Sequence, residues 1–114
     1  MTLSEQQRLF TQLVGQLIAY AYAHGCELTF GEVWRSTATA RLNAEQHIGI
    51  ANSLHCERLA VDLNLWKGGV YIGDPTAYKD LGDYWKTLHP LARWGGDFHT
   101  VDADHFSLEW QGRR

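Results

Sequence analysis

Asp62 stands inside the run Leu59-Ala60-Val61-Asp62-Leu63-Asn64-Leu65. A carboxylate among apolar neighbours rarely sits there without a cation, a hydrogen-bond network or a metal ion as partner. Ala60, two residues earlier on the same face of an extended strand, is small and leaves room above the sheet. His55 lies seven residues upstream, close enough for an entering loop to fold it back over that face. Near the other end of the chain, Asp102-Ala103-Asp104-His105 sets two carboxylates and an imidazole at the mouth of a second extended segment. Two histidines and an aspartate with an open fourth position form a zinc site of the catalytic kind. Asp102, three residues before His105, reaches the same place if the chain turns there. These residues alone leave a second reading open, in which backbone N–H groups hold Asp62 and the histidines face solvent.

Asp104 is adjacent to His105, so on an extended strand its side chain points to the opposite face, which makes it a poorer base than Asp102. Asp97 follows Gly95-Gly96 and reads as a turn cap. Cys56 next to His55 lacks a second base and is a weak nucleophile candidate. His24, His47 and His89 read as solvated, and His99 as a candidate substrate contact.

The elements that must position these groups follow from periodicity and turn residues. Ser4 to Gln7 fits a capping box with Ser4 as N-cap. Apolar residues at Phe10, Leu13, Val14, Leu17, Ile18 and Ala21 continue as a helix that ends at Gly25. Residues 27–33 read as a strand, 40–47 as a short helix and 49–53 as loop. Residues 58–66 form the clearest strand, with Leu59, Val61, Leu63 and Leu65 on one face. Lys67-Gly68-Gly69-Val70 is a tight hairpin turn, because both glycines accept positive φ. Val70 to Ile72 returns. Asp74 and Pro75 begin a helix as N-cap and N1, with Tyr78, Leu81, Trp85 and Leu88 as its apolar face. Pro90 stops it. A last strand covers about 105–110. Helices and an antiparallel sheet in this order predict an α+β fold: a small antiparallel sheet with flanking helices.

A chain of 114 residues suits one domain, residues 1–114. It buries roughly two-thirds of its unfolded surface, so it folds without disulfide staples. A net charge of −3 with scattered Lys and Arg lacks the footprint of a nucleic-acid binder. No apolar run reaches the ~20 residues that span a bilayer, so membrane insertion is not expected. The N-terminal residues lack a basic segment followed by an apolar one, so no signal peptide is expected and the chain reads as made in the cytoplasm. Cys26 and Cys56 leave their redox state open.

Ser53-Leu54-His55-Cys56-Glu57-Arg58-Leu59-Ala60-Val61-Asp62 resembles the S-x-H-x-x-(G/R)-x-A-x-D signature of the zinc D,D-/L,D-peptidases. That family includes D-alanyl-D-alanine carboxypeptidases and phage endolysins that cut between L-alanine and D-glutamate. Arg93-Trp94-Gly95-Gly96-Asp97-Phe98, with Asp102 to Phe106, resembles the C-terminal block of the small phage members. Trp34-Arg35-Ser36-Thr37 is similar to the upstream arginine motif. The resemblance covers about residues 28–110 and implies the hedgehog/DD-peptidase fold. It also implies Zn2+ held by His55, Asp62 and His105, with Asp102 as the base. Arg35 binds or polarises the substrate, and Ser53 lines its pocket. Arg58 stands where many relatives have Gly, which leaves its role open.

The implied activity is zinc-dependent hydrolysis of a peptide bond in the peptidoglycan stem by a monomeric, phage-type endolysin. Such an enzyme waits in the host cytoplasm until lysis and then acts on the cell wall. The bond cut is either L-alanyl-D-glutamate or the terminal D,D bond. The alternative is a non-catalytic, metal-containing binding module on the same scaffold, as in the hedgehog signalling domain; the presence of Asp102 counts against it.

Overall fold

Thr2 opens the first helix, α1 (Leu3–Ala23): its side chain accepts from the Glu5 backbone N–H while Glu5 reaches back to the Thr2 N–H. The expected cap at Ser4 is therefore two residues late. Two overlapping capping boxes compete, and the one that sets a carboxylate against the helix N-terminus is used. The structure, a computed structural model, describes residues 1–47 and 53–114. The expected loop at 49–53 lies outside the described residues except for Ser53.

After α1 come β1 (Glu27–Phe30), α2 (Thr37–Glu45), β2 (Ala60–Lys67), β3 (Val70–Ile72), α3 (Lys79–Leu88), β4 (Ala92–Trp94) and β5 (His105–Leu108). All strand pairs are antiparallel. β2 is the spine: β1 lies on one side, and β3 and β5 pair with successive parts of the other, with β4 outside β5. β1 is shorter than expected, ending at Phe30. Its extension stays tied to β2, because Gly31 N–H donates to the Asp62 carbonyl and Asp62 N–H to the Glu32 carbonyl, both at 2.8 Å. Gly68 and Gly69 take φ of 57° and 77° and turn β2 into β3 as expected. Asp74 caps a short 3-10 turn, Pro75–Tyr78, before α3 begins. β4 is a strand the sequence did not announce.

α1 and α3 pack against the sheet and each other. Leu13, Val14 and Leu17 of α1 meet Val61, Leu63 and Leu65 of β2 in one core with Trp85 and Phe106. Trp85 is fully buried and stands edge-on to Phe10 and Phe106. Its Nε1–H donates to the Arg93 and Ser107 carbonyls at 3.0 and 3.2 Å, joining α3 to β4 and β5. Trp94 fills the space over Gly82 and Gly96, where a Cβ would lie 2.1 and 2.2 Å from its ring. Its Nε1–H donates to the Ala103 carbonyl at 2.7 Å. Among the described residues, no helix is long and apolar enough to cross a membrane.

Candidate metal centre

Asp62 and His105 face each other across the β2–β5 ladder. Directly opposed residues hold their Cβ atoms about 4.5–5.5 Å apart, so the register alone brings the carboxylate to the imidazole. His55 arrives from the 3-10 turn Leu54–Glu57, capped by the Ser53 hydroxyl, which accepts from His55 N–H at 3.1 Å. Arg58 closes that turn at φ 56°. This is a left-handed position where glycine carries no penalty, which accounts for the glycine that the signature allows there. The Arg58 guanidinium lies 4.9 Å over the Trp34 ring.

The three expected ligands converge. His55 Nε2 lies 3.4 Å and His105 Nδ1 3.6 Å from Asp62 Oδ1. Both histidines are buried. Asp62 Oδ1 is buried without a hydrogen-bond partner. A carboxylate oxygen so placed between two imidazole nitrogens suits a cation, and two imidazoles with one carboxylate are donors that zinc accepts. Burial opposes the charge on Asp62, yet the His105 and His55 rings hold its pKa down at about 2. Burial likewise disfavours protonated His55, but the Asp62 carboxylate outweighs it and raises that pKa.

Asp102 flanks the group. Its Oδ2 lies 3.8 Å from His105 Nδ1, and its side chain is 54% exposed, within reach of a substrate. The turn that puts it there is fixed by His105 N–H donating to the Asp102 carbonyl and Asp102 N–H donating to the Gly95 carbonyl. A Cβ on Gly95 would stand 1.9 Å from the Asp102 carbonyl oxygen, so only glycine fits there.

Asp104 is not where strand alternation puts it. Residues 103 and 104 belong to the turn before β5, and alternation begins only at His105. The Asp104 carboxylate therefore shares one group of oxygens, all within 4.8 Å, with Asp62 and Asp102. Burial and the neighbouring Asp102 and Asp62 carboxylates push its pKa up to about 7.

Arg35 stands on the other side, its backbone N–H donating to the His55 carbonyl at 3.3 Å. Its guanidinium pairs with Glu32. The sequence reading passed over Glu32, although its place three residues before Arg35 was the available signal. Glu32 Oε1 also lies 3.8 Å from His55 Nε2. Ser53 is buried and its hydroxyl is engaged with the His55 turn, a positioning role alongside the expected pocket-lining one. His99 is exposed. Cys26 and Cys56 are free thiols. A largely apolar cavity of about 350 Å³ between α1 and β1, lined by Ile18, Tyr22, Leu28, Thr29, Phe30 and Leu63, holds no charged side chain and no histidine or cysteine.

No family model matches the chain, and no curated protein matches it. Among solved structures, it is similar to the L-Ala D-Glu endopeptidase ChiX of Serratia marcescens, with a TM-score of 0.75 and 21% identity over 93% of this chain and 85% of that one. At that identity the likeness is one of fold.

Proposed function

We propose that the chain is a zinc-dependent peptidase of the peptidoglycan stem, an endolysin-type enzyme that cuts between L-alanine and D-glutamate. The observation that carries this is the convergence of His55 Nε2, Asp62 Oδ1 and His105 Nδ1 on one point, with an accessible carboxylate beside it. The fold shared with an L-Ala D-Glu endopeptidase supports the choice of bond.

Zinc, when bound, supplies Lewis acidity and a nucleophilic water at neutral pH. His55, Asp62 and His105 are the residues that would hold it. Asp102 accepts the proton of the attacking water at its carboxylate and passes it to the leaving amine. Arg35 offers a fixed guanidinium to a substrate carbonyl or carboxylate. The buried walls around His55 and His105 keep bulk water from the two imidazoles.

Digestion of purified peptidoglycan by the zinc-loaded chain, followed by mass spectrometry of the fragments, tests the reading. New D-glutamate N-termini are expected. Release of terminal D-alanine alone would reassign the bond, and an intact substrate would overturn the activity.

A further inference from the structure

Arg35 and Glu32 differ in how firmly they are held. The backbone of each is tied to a proposed ligand: the Glu32 carbonyl accepts from Asp62 N–H at 2.8 Å, and Arg35 N–H donates to the His55 carbonyl at 3.3 Å. Their side chains diverge in freedom, at 15% exposure for Arg35 and 32% for Glu32. Arg35 Nη2 is taken by Glu32 Oε1, while Arg35 Nε is buried and has no acceptor. A guanidinium is built for a two-point grip on a carboxylate, and here only one point is engaged. Glu32 also lies 3.8 Å from His55 Nε2, so its carboxylate stands between the guanidinium and the metal-facing nitrogen of a ligand. Yet it lies outside the group formed by His55, Asp62 and His105.

We propose that Glu32 is a specificity-determining residue: its carboxylate occupies Arg35 in the free protein and is displaced by a carboxylate of the substrate. The inference rests on the peptidase reading for the identity of that carboxylate, which is the one D-glutamate carries next to the scissile bond. An internal competitor lowers apparent affinity by the fraction of molecules in which it is bound. A neutral ligand does not compete for the guanidinium, so its binding does not depend on Glu32 leaving Arg35.

The test is calorimetric titration of the zinc-loaded chain with N-acetyl-D-glutamine, whose one carboxylate is the α-carboxylate, and with its α-amide as the neutral control. Glu32→Gln and Glu32→Ala are expected to bind the acid at least about threefold more tightly than wild type, with binding of the amide unmoved. The gain should vanish when Arg35→Ala is added, because a general field effect would survive that change and a displaced partner would not. Thermal midpoints confirm that each variant is folded, and the alanine variant serves if the glutamine one is not. Equal or weaker binding of the acid by folded variants overturns the proposal, as does a gain that persists without Arg35 or extends to the amide. Peptidoglycan digestion by wild type is scored separately. A chain that cuts nothing but shows the Arg35-dependent gain loses the peptidase reading and keeps the displaced pair.

Discussion

Asp102 and Asp104 carry the same group two residues apart, and the site treats them differently. Asp102 is exposed and lies beside His105; Asp104 is partly buried against Asp102 and Asp62, and is driven toward its neutral form. Asp102→Asn keeps size and removes the base, so activity should fall by about 10²–10⁴-fold with zinc still bound. Asp104→Asn replaces a carboxyl driven toward neutrality with a neutral amide, and the expected loss is below about tenfold. Rates and elemental analysis on both variants check this; a dead Asp104→Asn beside an active Asp102→Asn would exchange their roles. His55→Ala should lose most of its zinc by the same analysis. Arg35→Lys should keep zinc and lose turnover, because a point charge replaces the planar fork; wild-type kinetics there would return Arg35 to the scaffold. The grouping of His55, Asp62 and His105 was legible because Asp62 breaks an apolar strand. The orientation of Asp104 was not, since where β5 begins depends on pairing with β2 rather than on local sequence.

The elements show the same division between local and distant causes. β2 was readable from alternation, and the β2–β3 turn from its paired glycines, because both signals are local. β4 was not: its three residues, Ala92–Trp94, carry no period, and they become a strand only by pairing with β5. The cap of α1 was displaced because Thr2 and Ser4 each satisfy the same motif. Gly95 looked like a turn residue and is more than that, since the Asp102 carbonyl occupies the place of its missing side chain. Gly95→Ala must push that backbone away. The expected cost is roughly 1–3 kcal/mol, read as a lower urea midpoint at unchanged slope, together with a loss of activity from the displaced Asp102. A variant of wild-type stability would mean the turn yields freely.

Across the whole molecule, the site's charges make the metal-free fold sensitive to pH. Asp62 sits below its unfolded value, so its contribution is present above about 3.8 and is lost as pH falls through about 2. Asp104 runs the other way: its raised pKa gives a contribution present below about 3.8 and lost as pH rises through about 7. His55, also raised, adds stability below its ordinary value that fades as pH climbs through the folded one. The metal-free chain should therefore unfold at higher urea near pH 5 than near pH 8. Zinc needs deprotonated ligands, so loading should stabilise the chain more at pH 8 than at pH 5. Urea midpoints with and without zinc at the two pH values decide it; greater metal-free stability at pH 8 contradicts the assignment of these shifts.

Trp94 reaches from the α3 side of the molecule to the turn that carries Asp102 and His105, through the 2.7 Å bond from its indole nitrogen to Ala103. Among the described indole hydrogen bonds, those of Trp66 and Trp85 end elsewhere. The ring is nearly buried and walled by two glycines, so it has little freedom of its own. Its indole proton is therefore a nuclear-magnetic-resonance gauge of that turn. Its exchange with deuterium should be slow, and its resonance should move when a ligand two residues away binds a cation, before any substrate is present.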